Sequence, residues 1–210
     1  MRLLLSLGPT LEAIDGVRFL SNRSSGRLGI AIAQAALKRG HTIVAVHGPL
    51  QVPPPRGGRW IAVESAREML AALGNEFPNS DALVMAAAVC DVRPVAAVAG
   101  KLEKSELKNL KLEPNPDIVA TLAARRTRQL LVAFSLGATL DAEKARAKLE
   151  AKGADWIAWN ALPSMGSASG VYGILARGGE VLLQPRELSK ARFASRLVQL
   201  METQLAKKRQ

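Results

Sequence analysis

A single cysteine and two histidines stand among 210 residues, and aromatic side chains make up only 4% of the chain. Lone Cys90 excludes an intrachain disulfide, and with His41 and His47 it falls short of a structural zinc ligand set. So few Phe, Trp and Tyr leave little surface on which the bases of a single strand would stack, which argues against nucleic acid as the partner. No window of about 18 apolar residues occurs, so no membrane-spanning helix is expected. The opening MRLLLSLGPT is broken by Gly8 and Pro9 before it reaches the length of a signal-peptide apolar region. The expectation is a reduced, cytoplasmic protein, one domain over residues 1–210.

Two nucleotide signatures are missing as well. There is no G-x-G-x-x-G run, and the second strand ends in Val46-His47-Gly48-Pro49 without a carboxylate for a ribose, which disfavours NAD. No G-x-x-x-x-G-K-[ST] loop exists, so this is not a P-loop enzyme. Acidic residues are outnumbered, 18 against 29 Lys and Arg, and the formal charge of +11 concentrates anions around the protein without naming one. Lys207, Lys208 and Arg209 read as a solvated helix end.

What is present is an alternation of apolar strand-length runs with stretches of helical period, the signature of a parallel sheet covered by helices on both faces. Strands are predicted at Leu3 to Leu7, Thr42 to Val46, Trp60 to Val63, Ala82 to Val89 (central), Leu130 to Phe134 and Trp156 to Trp159. Val171 to Ala176 and Glu180 to Leu183, joined by Gly178-Gly179, predict a closing hairpin. Helices are predicted over Gly26 to Arg39, around Met69 to Leu73 behind the Ser65/Glu68 capping box, and from Asn115-Pro116 through Arg126. Two more run from Asp141 to Lys152 and from Ser189 toward the tail. Gly8 to Ser25 reads as a polar loop and Gly48 to Gly58, with four prolines, as an extended one. The stretch Arg93 to Glu113, with Lys101, Lys104, Lys108 and Lys111, fits neither period and reads as a flap or arm.

In an open parallel sheet, ligands bind beyond the carboxyl ends of the strands. There Ser21-Asn22-Arg23-Ser24-Ser25-Gly26 precedes a helix, and small hydroxyl residues with glycine let an anion reach helix N–H groups. An ordinary Ser cap fits the same residues equally well. Ala86-Ala87-Ala88 ahead of Cys90-Asp91 admits either a ligand against the strand end or a close-packed helix. Lys144, Lys148 and Lys152 share a helical face, which on pattern alone is a solvated stripe.

Taken in order, GPT at 8–10, Asp15, Arg18, SNRSSG at 21–26, GPLQVPPP at 48–55, AAAVCDVRP at 86–94, the arm from Lys101, NPDIVA at 115–120 and KLEAKGAD at 148–155 resemble phosphopantothenoylcysteine synthetases over nearly the whole chain. The resemblance implies a Rossmann-like, doubly wound α/β sheet with a C-terminal hairpin and a lysine-bearing dimerisation arm at 93–113. It also implies a ligase that joins 4′-phosphopantothenate to L-cysteine through an acyl-cytidylate, using CTP and Mg²⁺ and releasing CMP and pyrophosphate. By position it makes Asn22 and Lys101 catalytic. Gly8, Asp91, Lys101, Pro116, Asp117, Ile118, Val119, Phe134, Lys148 and Lys152 become nucleotide contacts, and Arg18, Asn22, Ser24, Ser25 and Gly26 contacts of the acid substrate. The implied partners are a second copy of the chain and a separate flavin-dependent decarboxylase acting next in the pathway.

This sequence departs from the family at Cys90 and Val92, where Ala and Tyr are usual, and at Lys101-Leu102-Glu103-Lys104, where the arm is usually KIKK-like. It departs again at Phe134-Ser135-Leu136-Gly137, at Asn160-Ala161 and at Gly166-Ser167-Ala168-Ser169-Gly170, which lack family carboxylates. Those missing acids, with the basic charge, motivate a second reading: a nucleotide- or RNA-binding module that has kept the fold and lost turnover.

Overall fold

Runs of Leu, Val and Ile bounded by Gly, Pro and Asp leave the chain few ways to satisfy its main-chain groups while burying its side chains, and a parallel sheet between helices is one. The computed structural model describes residues 1–161, 164 and 167–208; Gly166 of the Ser- and Gly-rich loop and Arg209 of the tail lie outside the described residues. The strands are β1 Arg2–Leu7, β2 Leu11–Ala13, β3 Phe19–Ser21, β4 Thr42–His47, β5 Arg59–Ala62, β6 Ala82–Met85, β7 Val92–Pro94, β8 Leu112–Pro114, β9 Leu130–Gly137, β10 Trp156–Ala161, β11 Ser169–Ala176 and β12 Val181–Ser189. The helices are α1 Arg27–Lys38, α2 Ala66–Glu76, α3 Ile118–Ala123, α4 Ala142–Ala151 and α5 Lys190–Lys207.

Eight strands form one sheet in the order β12-β11-β10-β9-β6-β1-β4-β5. The stretch from β5 to β10 is parallel, and β11 and β12 close it as an antiparallel hairpin. The chain moves outward from β1 through β4 to β5, then returns to lay β6 on the other flank of β1. That reversal makes the β1/β6 boundary the topological switch point, the place where such sheets open a crevice.

The period of two along β1 divides the core. Leu3, Leu5 and Leu7 pack with α1 and α5, while Leu4 faces α2, α3 and α4. All four are essentially inaccessible, and each contributes about 2 kcal/mol by burial. On the α5 side Tyr172 stacks on Phe193 with ring centroids 4.4 Å apart, which joins the terminal hairpin to the last helix.

Several elements differ from the sequence reading, among them β9, which runs on to Gly137 rather than Phe134, and β12, which runs to Ser189 rather than Leu183. The loop between β1 and α1 contains an antiparallel ribbon, β2 with β3, in place of plain coil. Strand β6 stops at Met85 rather than Val89, because the Ala88 main chain exchanges hydrogen bonds with Gly8 and Thr10 of the loop after β1. Asn115 does not cap α3: the cap is Asp117, which accepts from Ala120 N, and the helix ends at Ala123 rather than Arg126.

Candidate functional site

The loops after β1 and β4 cross beside the switch point, and glycine permits the crossing. A Cβ on Gly48 would lie 1.6 Å from the Pro9 carbonyl oxygen, and one on Gly8, whose φ is +79°, would lie 3.0 Å from Pro49 O. Gly26, with φ +73°, ends the first loop as the N-cap of α1 and, having no side chain, makes no side-chain cap bond of its own. The ordinary Ser cap therefore gives way: Ser24 Oγ only accepts from Gly26 N, at 3.4 Å. That first turn is the positive end of a helix of 12 residues.

Asn22 reaches across the switch point. Its Nδ2 donates to Ala88 O at 3.0 Å and lies 3.9 Å from Cys90 Sγ. An amide carries two N–H donors, and the one not given to Ala88 meets only the weak sulfur acceptor of Cys90, which a ligand oxygen would displace. Beyond it, Cys90 N donates to Thr10 Oγ1 at 3.0 Å, while Asn115 donates from Nδ2 to Cys90 O at 2.9 Å and from its own N–H to Asp91 O at 2.8 Å. These bonds hold Asp91 at the rim and bring the 115–119 segment beside it. Burial pushes the Cys90 thiol upward, so this cysteine is a small packing group rather than a nucleophile.

Two clefts of about 320 and 340 Å³ open on this rim. The first is lined by Asp91, Pro116, Asp117, Ile118, Val119, Phe134, Lys148 and Lys152. The second is lined by Asn22, Ser24, Ser25 and Gly26, with Asn160, Ser164, Tyr172 and Lys190 on its far wall. Ala87, Val89, Asp91, Phe134 and Lys148 belong to both, so the two are lobes of one crevice.

Its electrostatics are those of an anion site with internal control. Burial lowers the Lys148 pKa, the neighbouring Lys152 lowers it further, and Asp91 and Asp117 pull it back. Lys152 Nζ is 2.8 Å from Asp117 Oδ2. Burial raises the Asp117 carboxyl, but that ion pair and the α3 N–H bonds outweigh it and leave the pKa below the ordinary value. Lys190 is lowered by burial and by Arg27.

Gly8, Arg18 and Lys101 line neither lobe. Gly8 serves the loop crossing. Arg18 spends its guanidinium on Asp15 and on the Leu102 carbonyl, so the expectation that it faces the acid substrate finds no counterpart in this geometry. Lys101 lies exposed on the arm. The far wall escaped the sequence reading, because only the antiparallel closure by β11 and the start of α5 bring Tyr172 and Lys190 to Asn22. The one local sign was Lys190 directly after the Ser189 cap. Among the described residues, no three His, Cys, Asp or Glu side chains gather to hold a metal.

A doubly wound sheet with a two-lobed crevice at its switch point makes this a Rossmann-like α/β protein. More narrowly, the chain belongs to the family of DNA/pantothenate metabolism flavoprotein C-terminal domains, matched over residues 1–205. It is 40% identical over 162 residues to the coenzyme A biosynthesis bifunctional protein CoaBC of Vibrio parahaemolyticus, covering 75% of this chain and 41% of that protein. To CoaBC of Bacillus subtilis it is 36% identical over 169 residues, covering 79% and 41%. The chain thus spans about two fifths of these relatives, 41% of their length. The crystal structure of the C-terminal domain of CoaBC superposes with a TM-score of 0.84 at 32% identity, covering 98% of each chain. No described helix is long and apolar enough to cross a membrane.

Proposed function

We propose that this crevice joins 4′-phosphopantothenate to L-cysteine, with CTP as the activating nucleotide, as a cytoplasmic step of coenzyme A biosynthesis. The observation that carries the reading is the junction: an anion-receptive lobe at α1 and a lysine-lined lobe at α3 and α4 share Asp91, Phe134 and Lys148. An acid held in one lobe meets a triphosphate held in the other. Kinship with coenzyme A biosynthesis proteins supports the substrate class.

The acid carboxylate attacks the α-phosphorus, pyrophosphate leaves, and the cysteine amine then displaces CMP from the acyl-cytidylate. Lys148, Lys152 and the arm's Lys101 neutralise the phosphates in the first step. Asp91 accepts from the nucleoside, and the remaining Asn22 N–H donates to the oxyanion of the second step; loss of such a donor costs about 3–4 kcal/mol of barrier. With Asp91 given to the nucleoside and both Asp117 oxygens taken, Oδ1 by the Ala120 N–H and Oδ2 by Lys152, a Mg²⁺ would be held chiefly by the triphosphate that carries it in. When bound, it supplies charge neutralisation of the departing pyrophosphate.

The chain acts as a homodimer in this reading. Val17 and Phe19 on the β2–β3 ribbon, Val92 just ahead of the arm, and Val95, Val98 and Leu112 on it are exposed apolar residues, a pattern that suits burial against a second copy. A flavin-dependent decarboxylase takes the product onward.

Purified protein with CTP, Mg²⁺, phosphopantothenate and cysteine is expected to release CMP and pyrophosphate only when both substrates are present. Lys101→Ala abolishes pyrophosphate release, and Asn22→Ala slows amide formation by about 100-fold or more. Wild-type rates in both variants overturn these roles; turnover with ATP alone keeps the reaction and changes the nucleotide.

A further inference from the structure

Asp15 stands at the turn of the β2–β3 ribbon, 5% exposed, and its carboxylate collects five donors. Oδ1 accepts from the N–H groups of Val17 at 2.9 Å and Arg18 at 2.7 Å. Oδ2 accepts from Arg18 Nε at 2.9 Å, from Arg18 Nη2, and from the Leu102 N–H at 3.1 Å. A ribbon turn needs only the first two. The remainder reach the arm: Arg18 Nη2 also donates to Leu102 O at 2.7 Å, so both main-chain groups of Leu102 are held by one ion pair. On the other side of Lys101, Gly16 N donates to Gly100 O at 2.9 Å, and Val98 N donates to Ile14 O at 3.3 Å.

The arm residues Val95 to Lys101 are exposed throughout, and Leu102 is only half-buried, so within one copy of the chain hydrophobic packing does little to fix the arm's course. The hydrogen bonds to the ribbon do that work, and apart from the one at Val98 they fall on the two residues flanking Lys101. Resting on the ligase reading above, we propose that Asp15 is a positioning residue: through Arg18 and the Leu102 backbone it locks the arm to its own ribbon and so fixes where Lys101 is presented to the triphosphate. The Arg18 guanidinium beside Asp15 holds the carboxyl well below the usual carboxylate range, so the lock stays charged at neutral pH. Gly16 belongs to the same contact, since a Cβ there would press on Ala99 O at 2.9 Å.

A ribbon staple and a positioning residue differ in what they slow. A staple that merely holds the fold loses stability and slows both half-reactions alike. A positioning residue slows the step its arm serves, because misplacement by about 1 Å can cost on the order of 100-fold. The test uses the full chain and measures pyrophosphate release without cysteine, amide formation from supplied acyl-cytidylate, and hydrogen exchange of the Leu102 amide. Asp15→Asn is expected to slow pyrophosphate release by about 10- to 100-fold with KM for phosphopantothenate and amide formation unchanged. The Leu102 amide exchanges faster in the same variant, and adding Lys101→Ala costs no more than Lys101→Ala alone. Asp15→Glu, which keeps the charge, recovers part of the rate. Gly16→Ala strikes the same contact without touching the carboxylate and gives the same signature should Asp15→Asn fail to fold. Equal slowing of both half-reactions overturns the role, as does a normal first step in Asp15→Asn beside an inactive Lys101→Ala. A normal first step in Lys101→Ala sinks the site reading itself, and the positioning role with it.

Discussion

The two rims of the sheet are built from similar residues to opposite ends. At the amino rim a cavity of about 440 Å³, larger than either lobe of the crevice, is lined by Asp81, Arg126, Gln129 and Asp155. Its charges other than Arg128 and Lys208, which also line it, are spent on the protein. Asp155 Oδ2 accepts from Arg126 Nη1 at 2.6 Å and from Leu131 N at 2.9 Å, and Asp81 accepts from Arg2 N at 2.7 Å. Gln129 accepts from Thr127 N and donates to Phe77 O, and Glu76 takes both Arg2 and Arg59. At the carboxyl rim, Lys148 and Lys190 are held partly out of water and near another cation, and both are lowered in pKa. Cavity size therefore does not locate the site; a lysine held partly out of water beside a second cation, as Lys148 is beside Lys152, is the better marker.

The largest effect separating the rims is steric. Gly48 ends β4 at the carboxyl rim, where a Cβ would strike the Pro9 carbonyl at 1.6 Å, and no rotamer relieves a backbone clash. Gly48→Ala is expected to cost about 3 kcal/mol or more. Gly40 precedes β4 at the amino rim with φ +76° and nothing within 4 Å of its Cβ position, so Gly40→Ala costs only about 1–2 kcal/mol for the left-handed backbone. Urea midpoints of the two variants check the difference; equal losses would mean that the loop crossing yields.

Next come the charges. Asp155→Ala strands Arg126 and the Leu131 N–H and should cost about 2–3 kcal/mol of stability, with nucleotide affinity untouched. Lys148→Met should do the reverse, weakening CTP binding about 10- to 100-fold by calorimetry while stability at pH 7 holds or rises. Were Lys148→Met to destabilise like Asp155→Ala, the carboxyl rim would be structural too.

Much of the fold was legible because its signals are local. The Ser65/Glu68 box forms, Ser65 Oγ accepting from Glu68 N at 3.2 Å, although the Glu68 carboxylate reaches Glu64 N rather than the cap itself. The left-handed Gly40 and Gly153 end α1 and α4 as read. The ribbon β2–β3 was missed because its strands span three residues each, too short for alternation to register. Asn115-Pro116 imitates a helix start, but the Asn115 amide is drawn to the Cys90 carbonyl, a contact across 25 positions that no local pattern encodes. The motif loops named most of the residues now lining the crevice. They said nothing of Tyr172 and Lys190, nor that Arg18 turns to the arm.

The smallest effect sets the rims apart by pH. Folded Lys148, lowered chiefly by burial and then by Lys152, releases its proton below the ordinary 10.5. In the window between the lowered value and 10.5 the unfolded chain binds more protons, so wild-type stability gains as pH rises through it. At neutral pH the burial cost is carried in full. At the amino rim Glu202 is lowered chiefly by its hydrogen bond from Arg39, then by His41, whose Nε2 lies 2.6 Å from Oε1. Its contribution is complete above the ordinary 4.5 and fades as pH falls through the lowered value. Stability measured against pH should therefore lose its alkaline gain in Lys148→Met and its acid loss in Glu202→Gln. If both variants altered the same limb, the two rims would no longer be electrostatically distinct.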